Sequence, residues 1–141
     1  MMVIERNCDY SQLREKLCGK KVLICRCGTC ASLCNGIGSE ASADTLSQKL
    51  QSDGIIITGI ISTSAACIMK KVRKLSGNIE NNDADIILAL TCNVGAENIR
   101  KIMGTDVINP IDTLGPGYLD EEGKPHLSDG SEPSDMSSPF C

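Results

Sequence analysis

Short aliphatic runs alternate with segments of helical periodicity along most of this chain, and this alternation is the feature that most constrains its fold. The aliphatic runs, rich in Ile, Val and Leu, are 22–25, 54–61, 84–90 and 107–110. The segments with apolar residues at helical spacing are 10–17, 39–51, 65–75 and 96–103. Connections long enough to hold a helix join consecutive strands, so the pattern predicts βαβ units and a parallel sheet.

The predicted fold class is α/β, a small doubly wound parallel sheet of the Rossmann or flavodoxin type. The runs 54–61 and 84–90 contain few polar residues, which is typical of strands buried on both faces. A length of 141 residues suits one domain. We divide the chain into a cysteine-rich α/β domain, 1–115, and a polar, Pro/Ser/Gly-rich tail, 116–141, which we expect to stay disordered until a partner orders it.

Cysteines follow the predicted strands at the point where each strand ends. Cys27, Cys30 and Cys34 come directly after the first run, Cys67 follows the second and Cys92 the third. Because the carboxyl ends of parallel strands share one edge, where open α/β sheets bind ligands, these thiols should converge. Each also lies at or near a helix start, where N–H groups favour anionic thiolates. The sequence therefore predicts a thiolate site for a metal or metal cluster.

The amino-acid composition argues against three classes of protein: secreted, membrane-spanning and nucleic-acid-binding. We find no secretory signal and expect a cytoplasmic protein, in which closely spaced cysteines are more often metal ligands or redox groups than disulfides. The longest apolar run is too short to cross a bilayer, so we predict no membrane span. A net charge of -4 with only 2 Tyr, 1 Phe and no Trp argues against nucleic-acid binding.

The remaining polar features favour structural roles. His126, the only histidine, falls in the predicted tail and is expected to be a solvated loop residue. The basic run 70–74 is expected to be a solvated helix face, although it could also guide an acidic partner. No nucleophile, base and orienting group can be assembled, so we predict no catalytic residues. Three further cysteines are predicted to be packed or helix-face thiols: Cys8, Cys18 and Cys25.

Several of these residues resemble one family in particular. The segment 10–24, the run Cys27-Gly28-Thr29-Cys30-Ala31, Cys34 and the glycine-bearing turn 35–40 are similar to the N-terminal domain of MetV-like proteins, as is Cys92 with its glycine-containing turn. This family is the iron-sulfur subunit or domain of bacterial methylenetetrahydrofolate reductases. The resemblance covers about residues 1–115. It fails at Arg26, where glycine is usual, and in the tail, where many members carry a zinc-ribbon-like segment.

The resemblance implies a [4Fe–4S] cluster bound by cysteines. Such a cluster needs four ligands, and five cysteines match the family. Cys27, Cys67 and Cys92 would supply three corners from three strand ends, while Cys30 and Cys34 compete for the fourth. We favour Cys30, because a loop residue can turn toward the cluster, whereas Cys34 in the first helical turn would pack beneath it.

The implied function is electron transfer. The chain would be a non-catalytic subunit that passes single electrons to or from a flavin-containing reductase subunit, in a complex that could hold further redox subunits. Two other hypotheses stay open. Four thiolates suit zinc equally well, so the chain could be a zinc-stabilised scaffold of a one-carbon or redox complex. Alternatively, Cys27 and Cys30 could form a redox dithiol, although the additional cysteines argue against this.

Overall fold

The computed structural model describes residues 1–77 and 83–140, which leaves Cys141 outside the described residues. The strands are β1 (Met2–Arg6), β2 (Lys21–Cys27), β3 (Ile56–Thr63), β4 (Ile86–Leu90), β5 (Asp106–Ile108), β6 (Ile111–Leu119) and β7 (Pro125–Leu127). The helices are α1 (Tyr10–Leu17), α2 (Cys30–Leu33), α3 (Glu40–Ser52), α4 (Met69–Gly77) and α5 (Asn93–Met103), and a 3₁₀ turn covers Asp135–Ser137.

Four strands form a parallel sheet in the order β3-β2-β4-β5. This confirms the prediction of a mixed α/β fold with a parallel sheet, and the order is compatible with a Rossmann-like fold. Helices α4 and α5 contact each other. Helices α1 and α3 also meet, because the ammonium group of Lys49 in α3 lies over the ring of Tyr10 in α1. In chain order, β3 lies on one side of β2, and the next strand, β4, lies on the other side. The order therefore reverses between β2 and β4, the position at which such sheets bind ligands.

The two aliphatic runs predicted to be buried on both faces behave differently. Strand β4 lies between β2 and β5, and all of its residues are buried, as expected. Strand β3 is instead an edge strand, and the prediction for 54–61 is wrong there. Ile56 is 58% exposed and Ile60 37% exposed. The reason is position in the sheet: with β2 as its only neighbour, β3 receives less cover than a central strand.

The core joins the parallel sheet to its helices. It is built from aliphatic side chains, as the shortage of aromatic residues requires. The largest fully buried side chains include Leu23, Ile24, Ile87, Leu88 and Ile99. None of the helices in the described residues combines the length and apolar character needed to cross a bilayer.

A second sheet, antiparallel in the order β1-β6-β7, was not predicted. Strand β6 runs through the predicted boundary at 115/116, and β7 and the 3₁₀ turn lie within the predicted tail. The chain beyond β7 returns to pack on β1. Ser137 is buried and its hydroxyl donates to the Ile4 carbonyl at 3.2 Å, while Arg6 Nε donates to the Ser138 carbonyl at 2.7 Å.

His126 is also placed differently from the expectation of a solvated loop residue. Its ring stacks on Tyr118 with centroids 5.3 Å apart, and its Nε2 lies 2.7 Å from Asp120 Oδ2. The carboxylate raises the pKa of His126, and the imidazole in turn lowers the pKa of Asp120. These contacts order the β6–β7 hairpin.

Candidate thiol site at the carboxyl edge of the sheet

Four cysteines lie at the carboxyl edge of the parallel sheet, beside the point where the strand order reverses. Cys27 is the last residue of β2, Cys30 the first of α2, and Cys92 the residue that precedes α5. Cys67 lies in the turn between β3 and α4, because α4 begins at Met69 rather than at the predicted residue 65. The ends of β2 and β4 therefore place Cys27 and Cys92 on either side of the point where the strand order reverses.

Ala66, which directly precedes Cys67, connects the three strand ends. Its amide donates to the Cys27 sulfur at 3.5 Å, and its carbonyl accepts from Asn98 Nδ2 of α5 at 3.1 Å. Gly95, in the first turn of α5, packs directly on it: a Cβ at Gly95 would lie 2.7 Å from Ala66 Cβ. These contacts hold the backbone next to Cys67 between Cys27 and the helix that follows Cys92. Sequence reasoning missed Ala66, since a small apolar residue carries no chemical signal of its own.

Cys30 and Cys34 both contact β1, but in different ways. The Met2 amide donates to the Cys30 sulfur at 3.3 Å, and Cys30 remains partly exposed. Cys34 is fully buried, and its thiol donates to the Met2 carbonyl at 3.5 Å. Cys30 begins α2 rather than lying in a loop, and Cys34 follows that helix rather than starting it. Exposure therefore distinguishes the two thiols, because backbone hydrogen bonds reach both of them.

Arg26 stabilises the turn after α2 through its guanidinium group. Its Nε donates to the Gly38 carbonyl at 3.0 Å and its Nη2 contacts Ser32 Oγ at 3.2 Å. Ser32 Oγ in turn donates to the Cys27 carbonyl at 3.0 Å. The guanidinium thus links the end of β2 to the Cys30 helix.

Burial dominates the ionisation of the inner thiols. It raises the pKa of Cys25 to about 12, with a smaller contribution from the neighbouring Cys27 thiol, which suits the predicted core role of Cys25. Burial also raises the pKa of Cys34. For Cys92 burial again raises the pKa, but the amides of Gly95 and Val94 at the start of α5 oppose this effect. Cys27 and Cys30 are close enough to Cys92 for their charges to add to its shift.

The donor chemistry fits a thiolate-bound metal, but the side chains are not assembled around one. Amide hydrogens face the sulfurs of Cys27 and Cys30, and amides oppose the burial effect at Cys92. Across residues 1–77 and 83–140, however, no group of three or more Cys, His, Asp or Glu side chains has metal-holding geometry. Cys67 is exposed on its turn. Binding a metal with all four thiols would require the Cys67 turn to fold inward.

The antiparallel sheet covers part of this edge. Besides the Met2 contacts, Thr113 Oγ1 of β6 accepts a hydrogen bond from the Asn93 amide, next to Cys92, at 3.0 Å. The chain therefore supplies some of the shielding for these thiols from its own strands.

Comparison of the chain with protein-family models, with curated proteins and with solved structures found no match in any of the three.

Proposed function

We propose that this chain is a [4Fe–4S] electron-transfer subunit, with Cys27, Cys30, Cys67 and Cys92 as its ligands. The observation that supports this most directly is the junction at Ala66. One short segment bonds to Cys27, packs on the helix that follows Cys92 and leads into Cys67. The proposed ligands thus come from chain segments that are already neighbours at the ligand-binding edge of the sheet.

When bound, the cluster would supply one-electron chemistry. The residues of this chain would hold and tune it. Backbone amides from Met2 and Ala66 face two of the sulfurs, and such hydrogen bonds favour the anionic form of a thiolate. Strand β1 lies against Cys30, and Arg26 holds the turn after the Cys30 helix.

The proposed partner is the flavin-containing subunit of a methylenetetrahydrofolate-reductase-type complex, with further redox subunits possible in the same assembly. The resemblance of Cys27-Gly28-Thr29-Cys30 and its surroundings to MetV-like proteins supports this choice. In the proposal the chain catalyses no reaction by itself and works in the cytoplasm.

The experiment that tests the cluster is anaerobic purification followed by iron and sulfide analysis. We expect about four irons and four sulfides per chain, with broad visible absorption that dithionite bleaches. A colourless protein containing zinc would refute the cluster and favour the zinc scaffold.

Serine variants test the ligand set, and the chain offers a matched control for each. Cys67→Ser should lose the cluster while Cys18→Ser keeps it, although both thiols are exposed. Cys92→Ser should lose the cluster while Cys25→Ser keeps it, although both are buried. Full iron occupancy in Cys92→Ser would contradict a site built from three strand ends.

A further inference from the structure

A second polar site lies between the end of β3 and helix α4, and none of the thiols lines it. The cavity has a volume of about 270 Å³ and is lined by Ser62, Thr63, Ser64, Lys71, Lys74 and Leu75. Its lining residues are thus three that carry hydroxyl groups, two lysines and one leucine. It opens at the carboxyl end of a strand in a parallel sheet, where ligands of α/β folds bind.

The two charged residues that line this cavity are both lysines. Lys71 and Lys74 are three residues apart on α4 and therefore share one face of the helix, where like charges repel. Lys70 and Arg73 add two further cations on the same helix. In the part of the chain that the structure describes, none of the ion pairs includes a basic residue of α4. An anion between Lys71 and Lys74 would relieve their repulsion.

Ser64 is arranged to donate into the cavity. Its hydroxyl oxygen accepts a hydrogen bond from Lys71 Nζ, so the hydroxyl hydrogen remains available for another acceptor. The Ser64 carbonyl accepts a hydrogen bond from Thr29 Oγ1. The hydrogen bond from Thr29 thus holds the backbone of Ser64 in place while the Ser64 hydroxyl contacts Lys71.

We propose that this cavity binds the phosphate group of a small phosphate monoester. Two ammonium groups balance the two negative charges of phosphate, and the hydroxyls donate to its remaining oxygens. A volume of about 270 Å³ lies just below the range of roughly 300–1,000 Å³ for sites that take drug-sized ligands, so only a short carbon skeleton fits beside the phosphate. Leu75, 8% exposed, supplies an apolar wall for that skeleton. The site does not depend on the proposed cluster.

Calorimetric titration of the full chain tests the proposal. Inorganic phosphate is the first probe and glycerol 3-phosphate the second, each at about pH 7.5, where phosphate is mostly dianionic, and at constant ionic strength. Acetate serves as the monoanionic comparison. We expect saturable binding of both phosphates and markedly weaker binding of acetate.

Variants on one helix separate a defined site from general attraction. Lys71→Gln and Lys74→Gln should each weaken phosphate binding by about five- to tenfold, since each removes one charged hydrogen-bond donor. Lys70→Gln and Arg73→Gln remove the same charge from the same helix outside the cavity and should change the affinity by less than about twofold. All four changes are at exposed positions and should leave the fold intact.

Three results would each overturn the proposal. The first is the absence of saturable phosphate binding. The second is an equal loss of affinity in the Lys70→Gln control, which would indicate diffuse attraction. The third is binding of a poly-glutamate peptide with an affinity equal to or greater than that of phosphate, which would make α4 a docking face for an acidic protein.

Discussion

Replacing Gly95 by alanine should disturb the junction that brings the three strand ends together. The added Cβ would lie 2.7 Å from Ala66 Cβ and 3.1 Å from Thr91 Cβ, whereas ordinary contacts are 3.4–4 Å. Ala66 and Thr91 are both fully buried, so neither can move into solvent. The backbone at Ala66 would have to shift by about 0.7 Å or more, which is the difference between 3.4 and 2.7 Å.

The expected loss of stability follows from two opposing effects. Overpacking a tight site destabilises by about 1–3 kcal/mol, and the upper part of that range applies because the neighbours are buried. Alanine favours a helix over glycine by about 1 kcal/mol. We therefore expect Gly95→Ala to lower the free energy of unfolding by about 1–2 kcal/mol.

Urea denaturation followed by circular dichroism measures this change, with Gly77→Ala as the control. Gly77 ends α4, and among the described residues a Cβ added there would have no atom within 4 Å, so the same substitution should be neutral or mildly stabilising. If the proposed cluster is present, iron content provides a second measurement, because displacing Ala66 also displaces its neighbour Cys67. A Gly95→Ala protein as stable as wild type would refute the packing argument.

Three further predictions concern the chain end, the hairpin and the thiols. Deleting residues 133–141 should destabilise the domain by about 2 kcal/mol, because β1 loses its buried and charged hydrogen bonds, as urea denaturation would show. Folding raises the pKa of His126, so its contact with Asp120 stabilises the fold fully below the unfolded pKa of about 6.5. This stabilisation is lost as pH rises through the folded pKa. The unfolding midpoint should therefore fall across that window in wild type and not in Asp120→Asn. Finally, iodoacetamide at about pH 8 should label Cys67 and spare Cys25, whose thiolate fraction there is about one in ten thousand.

Each of these predictions has a result that would contradict it. An unchanged free energy of unfolding after the deletion would mean that the contacts between β1 and the 3₁₀ turn add no stability. A midpoint that follows pH equally in Asp120→Asn would assign the titration to another group. Alkylation of Cys25 in the native protein at the rate of Cys67 would show that the core opens readily.

The parallel sheet could be predicted because its signals are local. The run 22–24 within β2 and the whole of β4 are aliphatic, and each strand is followed by a helical segment with periodic apolar residues. Gly104, directly after the predicted helical segment 96–103, has a positive φ of 63° and caps α5. The convergence of Cys27 and Cys92 at one edge then follows from parallel topology alone.

The antiparallel sheet could not be predicted, because its strands are stabilised by partners far away in the sequence. Gly115, Pro116 and Gly117 lie within β6, and a Gly-Pro-Gly sequence ordinarily indicates a turn. Gly117 leaves space for Val3 and for the backbone at His126, a contact that no local pattern reveals. The same limit applies to the thiol site: whether Cys30 or Cys34 is buried depends on β1, which pairs with β6.

The pairing of β1 with β6 also bears on the order in which the domain assembles. Val3 and Gly115 are register partners although more than one hundred residues separate them, so this sheet must close a very long loop. Contacts of that kind form late, after the more local βαβ units. We therefore expect a folding interval in which the ends of β2 and β4 already lie side by side but Met2 has not yet contacted Cys30. If the chain binds the proposed cluster, Cys30 would be most accessible to it during that interval. Pulsed hydrogen exchange would show it as early protection of Ile24 and Leu88 and late protection of Ile4.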